Sequence, residues 1–317
     1  MNDSRPAIAV IVGPTAVGKS KLAVDVALAM DGEIVTADSM QVYRGMDIGT
    51  DKPTPEQRRG VPHHMIDVCD PDRRFNVAEY RTMAHACIAQ ILERGRLPIV
   101  AGGTGLYIKA ILDDFLFPDE GPDYALREEL EAEAARRGPA ALYERLLQVD
   151  PGTARRLHPN DVRRVVRALE VYLRSGKPLS VHIAESAGKK GRYRAVQVGL
   201  TRPRPVLYRR IEERVDDQIR RGLVDEVRRL IERYPTMPVA RQALGYKEIL
   251  AYLQGECSLE EAIALLKRNT RRFAKRQFTW FRRDQRIHWF DIEAIENAAG
   301  PDEPAAVVVR YLKEALV

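Results

Sequence analysis

The residues Gly13, Pro14, Thr15, Ala16, Val17, Gly18, Lys19 and Ser20 have the types and spacing of a phosphate-binding loop. They follow an apolar run, Ala7 to Val12, and precede a helix-like stretch, residues 21–27. In that setting glycines let successive backbone N–H groups turn inward around an anion. The helix N-terminus adds its dipole, and Lys19 supplies a point charge. Ser20 is placed to hold Mg²⁺ through its hydroxyl. An ordinary glycine turn between a strand and a helix is the alternative. With both flanks correct, the loop indicates a bound polyphosphate and leaves its identity open, ATP being the usual ligand of such loops.

Two further groups fall where this chemistry would need them. A second strand-like run ends in Thr-Ala-Asp-Ser-Met-Gln, residues 36–41, which puts Asp38 at the carboxyl edge of the sheet, where open α/β sheets bind ligands. An Asp after a strand is also a common turn or N-cap residue, so a functional role at this edge and a turn role both stand open. A third run leads into Ala101-Gly102-Gly103-Thr104-Gly105-Leu106-Tyr107, a second glycine-rich turn at the same edge. It lacks GxGxxG spacing, which removes support for a dinucleotide fold. Thr104 can hydrogen-bond a phosphate, or the turn can need glycine for its φ angles alone. The convergence of two glycine turns on one crevice favours ligand contact. His63 and His64 have no third ligand in sight and read as turn or core histidines.

The chain carries 51 Lys and Arg against 45 Asp and Glu, a net +6 that matters only if clustered. It is clustered: between Lys267 and Arg286 stand nine basic residues and one acid, Asp284. Lys267, Arg271 and Lys275 form one i,i+4 column of a helix, and Arg268, Arg272 and Arg276 the next, with Phe273, Phe278, Trp280 and Phe281 interleaved. A basic helical face is usually only solvated, and aromatics at helical spacing are usually core. The depletion of acids favours nucleic acid, with cations on phosphates and aromatics or Arg planes on unpaired RNA bases. Arg163, Arg164 and Arg167 extend the same idea.

These residues need a scaffold. Strand-like runs at residues 7–12, 33–37 and 97–101 alternate with helical patterns at 19–30 and 76–94, which argues for a parallel sheet flanked by helices. After Phe117 the run Pro118-Asp119-Glu120-Gly121-Pro122 breaks the pattern. Helices are then predicted at 124–137, 139–149 and 161–174 before a strand at 195–200, charged helices through Glu232, and a final helix at 259–281. The expectation is therefore an α/β fold. A P-loop core (1–117 and 193–317) is interrupted by an inserted helical domain (118–192), in keeping with the two domains that 317 residues suggest. Cys69, Cys87 and Cys257 form no CxxC pair, so neither a disulfide framework nor a zinc site is indicated. No segment approaches a membrane span or a secretory signal. A cytoplasmic protein is expected.

Taken together these segments resemble the bacterial tRNA dimethylallyltransferases, also called tRNA isopentenyltransferases, over nearly the whole chain. The resemblance rests on GPTAVGKS (13–20), ADSMQVYRGMDIGTDKP (37–53), VPHHMIDV (61–68), AGGTGLYIKA (101–110), NDVRRVVRALEV (160–171), RQALGYKEI (241–249) and KRQFTWFRR (275–283). It implies transfer of a dimethylallyl group from dimethylallyl diphosphate to the exocyclic amine of the adenosine just 3′ of the anticodon. Gly13 to Ser20 would surround the diphosphate, with Lys19 and Thr104 near the breaking bond, Mg²⁺ at Ser20, and Asp38 as general base. Contacts to the tRNA anticodon stem-loop would come from four segments. They are Asp38, Ser39, Met40 and Gln41 with Thr104; Asn160, Asp161, Val162, Arg163 and Arg164; Arg241, Gln242, Ala243, Leu244, Gly245 and Tyr246; and Lys275, Arg276, Gln277, Phe278, Thr279, Trp280, Phe281 and Arg282. A monomer is expected. From the residues alone, an ATP-dependent nucleoside or nucleotide kinase also suits the loop and an Asp base, and a non-catalytic P-loop RNA-binding protein suits the loop and the basic helix.

Overall fold

In a computed structural model of the chain, which describes residues 3–113, 121–186 and 191–316, the run Ala7–Val12 is strand β1, fully buried from Ile8 onward. Continuous burial is what a parallel strand covered on both faces requires. Five more strands, β2 (Gly32–Ala37), β3 (His63–His64), β4 (Leu97–Gly102), β5 (Arg194–Thr201) and β6 (Ile287–Asp291), complete one sheet in the order β3-β2-β4-β1-β5-β6. Every pairing is parallel, so all the carboxyl ends share one edge. Val12 pairs with Gly102, and Gly102 with Ala37. The loop after Val12, Asp38 after Ala37 and Gly103-Thr104 after Gly102 therefore leave the sheet side by side.

Alternate residues of the strands feed two cores. Val10, Val35 and Val100 pack with Tyr80, Ile88 and Ile91 of the helix Val77–Glu93. Ile11, Ile34 and Ile99 pack with Leu22 and Val26 of the helix Lys19–Ala29. The helix Val77–Glu93 starts where Asn76 accepts the N–H groups of Ala78 and Glu79 while Glu79 returns a bond to the Asn76 N–H. Ser258 and Glu261 cap the long helix Leu259–Phe281 in the same way.

Two expectations are corrected. The chain does not finish at the helix ending in Phe281, because β6 and the helices Ile292–Ala299 and Glu303–Leu316 follow. His63 and His64 form the short edge strand β3, His64 Nε2 meeting Glu33 Oε2 at 2.7 Å. Both strands are weak in sequence because they are edges: in β6 only Ile287 is buried.

The chain divides into two compact units, Met1–Leu112 with Arg192–Val317, and Asp113–Gly191. Of the break expected at Pro118-Asp119-Glu120-Gly121-Pro122, residues 118–120 lie outside the described residues. The smaller unit is helical, with Leu130, Leu142, Leu146, Val165 and Leu169 as its core. Its buried Glu170 accepts from Asp123 N at 2.8 Å, Arg127 at 2.9 Å and Arg167 at 2.6 Å. Arg167 is thus tied to a buried carboxylate instead of extending an RNA-facing surface. Among the described residues no helix is long and apolar enough to cross a membrane.

Candidate active site

The phosphate loop is held from three sides. Gly18, at φ 109°, ends it in the left-handed region and opens the helix Lys19–Ala29. Arg202, itself buried between Glu293 and Glu296 (both 2.6 Å), donates to Val17 O at 3.2 Å. Arg210 and Arg214, one turn apart on the helix Arg204–Arg220, donate to Ala16 O at 3.0 Å and Thr15 Oγ1 at 2.8 Å. Lys19 is half-buried, and its Nζ donates to Pro14 O at 2.7 Å. Burial first, then the Arg214 charge, push its ammonium down to about 7, and Asp38 partly opposes them.

A buried amide joins this loop to the second glycine turn. Gln277 Oε1 accepts from Thr15 N at 2.9 Å, and its Nε2 donates to Gly103 O at 2.9 Å. A Cβ at Gly103 would collide with that amide, and one at Gly102 with the Ala37 carbonyl, so close approach explains the glycine pair. Thr104 N donates to Ala37 O at 3.1 Å and Thr104 Oγ1 accepts from Ser39 N at 3.0 Å. Asp38 Oδ1 accepts from Met40 N at 2.8 Å and Gln41 N at 3.2 Å. Asp38 is therefore a turn residue through one oxygen. Its Oδ2 accepts from no described residue, and the side chain lines the cavity.

That cavity, about 350 Å³, lies in the larger unit, bounded by Thr15, Lys19, Ser20, Asp38, Thr104 and Gln277 among others. Its volume is at the lower end of the roughly 300–1,000 Å³ usual for small-ligand sites. Among the described residues no group of three His, Cys, Asp or Glu side chains could hold a metal. The donor set still fits Mg²⁺, which commonly keeps several waters and is held by a hydroxyl or carboxylate together with phosphate oxygens. Ser20 Oγ is exposed beside the loop to serve as that hydroxyl.

The far wall rests largely on Glu226, Gln218 and Lys52, which the sequence did not single out. Glu226 is buried and gathers the N–H groups of Asp47 (3.1 Å), Ile48 (2.8 Å) and Gly49 (3.1 Å) together with Tyr246 Oη (2.6 Å). Gln218 donates to Ile48 O and Gly49 O. Lys52 Nζ reaches Tyr43 O, Asp47 and Asp67, and Gln41 Nε2 reaches Thr50 O. Residues 41–52 thereby hold their shape beside Asp38. One pattern could have flagged the wall: Arg210, Arg214 and Gln218 recur every four residues next to the buried Ile211 and Val215.

The basic helix sorts its residues by face. Lys267 pairs with Asp216 at 2.7 Å and Arg271 with Glu212, so two of the column predicted to meet phosphates serve internal ion pairs. Arg268, Arg272, Lys275, Arg276, Arg282 and Arg283 are exposed. Phe281 is core, and Phe278 packs edge-on against Trp289 under Arg282, so neither is free to stack on a base. Thr279 Oγ1 bonds Lys275 O, and Trp280 is exposed. Met40, Gln41, Gln242, Ala243 and Leu244 line the cavity with Ser39 and Arg276, whereas Arg241 does not. Ala243 and Tyr246 are buried, and Gly245 caps the helix Tyr246–Leu253. Asn160, Arg163 and Arg164 are exposed at the start of the helix Val162–Ser175 in the smaller unit, with Asp161 paired to Arg164 and Val162 half-buried.

Fold and site define a P-loop α/β protein in which an anion cradle and a carboxylate face one cavity. Residues 41–284 match the family described as IPP transferase, and residues 6–70 that described as isopentenyl transferase. The chain is 54% identical over 291 residues to the tRNA dimethylallyltransferase of Moorella thermoacetica, covering 90% of each. It is similar to the full-length tRNA isopentenylpyrophosphate transferase of Bacillus halodurans, with 44% identity, a TM-score of 0.73, and 99% and 97% of the two chains covered. A eukaryotic dimethylallyltransferase acting on tRNA matches with a TM-score of 0.82 and 28% identity over 98% of this chain and 80% of that one. This chain belongs to the tRNA dimethylallyltransferase family.

Proposed function

We propose that this enzyme transfers a dimethylallyl group from dimethylallyl diphosphate to the exocyclic amine of the adenosine 3′-adjacent to the anticodon of tRNA, releasing diphosphate. The observation that carries the reading is the single cavity in which the phosphate loop and the unengaged oxygen of Asp38 meet. On this reading the allylic carbon–oxygen bond breaks and its electron pair stays on the diphosphate, while the adenine amine forms the new carbon–nitrogen bond. Loop amides, Lys19 and Arg214 stabilise the charge that grows on the leaving group. Thr104 Oγ1 accepts from Ser39 N, and its hydroxyl hydrogen can turn to hydrogen-bond the departing oxygen. The amine becomes acidic only as it alkylates, so Asp38 accepts its proton late. Mg²⁺ held at Ser20 would supply further charge neutralisation on the diphosphate.

The target base must leave the anticodon-loop stack, at a cost of a few kcal/mol. Exposed cations at Arg272, Lys275 and Arg276 offset this by binding backbone phosphates. The reading includes a monomer working in the cytoplasm, in keeping with three free cysteines. The family's names favour prenyl transfer over a kinase or a non-catalytic RNA-binding protein. The test is incubation with unmodified tRNA, Mg²⁺ and labelled dimethylallyl diphosphate or labelled ATP. Label should enter RNA from the prenyl donor alone; no transfer from it refutes the reading.

A further inference from the structure

Among the described residues of the larger unit four large apolar side chains are markedly exposed: Leu28, Met83, Leu106 and Trp280. Two of them meet at the second glycine turn. The Trp280 indole rests on the backbone of Gly105, where a Cβ would collide with it, and Leu106 is the next residue. Trp280 is 42% and Leu106 45% exposed, and the indole N–H donates to no described residue. Gly105 directly follows Thr104, so this apolar patch begins one residue from the cavity wall. Arg276, four residues before Trp280, and Arg283, three after it, fall on the same side of the chain as Trp280, are exposed and have no ion pair among the described residues. The other aromatics of the helix are engaged: Phe281 in the core, Phe278 against Trp289, and Phe273 in the cavity lining under Arg276.

We propose that Trp280, backed by Leu106, is a stacking platform for a base flanking the target adenosine, an inference that rests on the tRNA reading above. A base turned into the cavity leaves its neighbours with an uncovered face. A flat indole beside the cavity mouth, with Arg276 and Arg283 on its side of the helix to suit the adjoining phosphates, offers that face a replacement. Stacking needs no particular base, because every base presents a π-face. The platform therefore holds the loop open around the target, while discrimination rests elsewhere.

The test is a double-mutant cycle in binding. Affinity is measured for an unmodified anticodon stem-loop RNA and for two versions with an abasic residue on either side of the target adenosine. Proteins are the wild type, Trp280→Ala and Trp280→Phe. In the wild type, one abasic version should bind about five- to hundredfold more weakly. Trp280→Ala should bind the intact RNA weakly and show no further loss with that version, and Trp280→Phe should regain most of the affinity. In a Trp289→Phe background Trp280 is the sole tryptophan of the chain. Its fluorescence should be quenched by the intact RNA and less by the abasic one. Equal abasic losses in wild type and Trp280→Ala at both positions, or no change in that fluorescence on binding, overturns the platform. Prenyl transfer by the wild type to the intact stem-loop is scored separately. Its absence refutes the functional reading while the binding cycle still reports on stacking.

Discussion

Replacing Asp38 by Asn separates the two jobs that its two oxygens perform. Oδ1 accepts from Met40 N and Gln41 N and so holds the turn that carries Ser39, while Oδ2 accepts from no described residue. Asn keeps an Oδ1 acceptor for both backbone groups and replaces only the oxygen available as a base. Turn geometry, and with it tRNA affinity, should survive within about twofold. Loss of general-base help is worth about 10²–10⁴ in rate, or roughly 3–5 kcal/mol of barrier. Asp38→Ala removes the same base and both turn bonds as well. With a net value of about 0.5–1.5 kcal/mol for each such bond, its thermal midpoint should fall by several degrees. The assay is single-turnover transfer with tRNA pre-bound in excess of its Kd, together with filter binding and thermal unfolding of each variant. An Asn variant that transfers within tenfold of the wild-type rate would refute the argument and leave Asp38 as a loop-holding residue.

Lys19 is held near 7 by burial and by Arg214, so in the free enzyme its protonated fraction should be about one half at pH 7 and about one tenth at pH 8. Anion binding favours the charged form, so kcat/KM for the prenyl donor should fall about tenfold per pH unit above 7; a profile flat from pH 6.5 to 9 would contradict this. Arg272→Ala with Lys275→Ala should reduce the slope of log affinity for tRNA against log salt by about 1.4–1.8. Lys267→Ala with Arg271→Ala should leave that slope unchanged, since their partners are Asp216 and Glu212. Gly49→Ala would place a Cβ 2.5–2.8 Å from ring atoms of Tyr246, which Glu226 fixes through its hydroxyl. A destabilisation of about 1–3 kcal/mol is expected by thermal unfolding, and an unchanged midpoint would show that the ring can yield.

The central sheet was legible because its strands are buried on both faces, and continuous apolar runs such as Ala7–Val12 need no partner to be recognised. The phosphate loop was legible for a similar reason, its geometry being local. Gln277 was not, since a glutamine among arginines gives no sign that it spans two loops far away in sequence. Nor could the basic column disclose that Lys267 and Arg271 face acids on another helix. Strand β6 escaped because an edge strand with one buried residue has almost no pattern to read. Phe281 illustrates the opposite error: aromatic type and a basic neighbourhood suggested RNA, while its helical phase with the apolar Leu266 and Ala274 already placed it inward.

The long helix Leu259–Phe281 keeps Leu266, Thr270, Ala274, Gln277 and Phe281 on its buried side and Arg268, Arg272, Lys275, Arg276 and Trp280 on its exposed side. On the inner side Gln277 ties the two glycine turns together, at the border between the sides Trp280 rests on Gly105 and Arg276 lines the cavity, and Arg268, Arg272 and Lys275 face outward. On the proposed reading, phosphate contact with RNA and support of the diphosphate cradle thus fall to the same helix in different phases. If those contacts are as proposed, Arg268, Arg272 and Lys275 are the positions a library can randomise to retune affinity for RNA while Gln277, Arg276 and Trp280 stay fixed around the site.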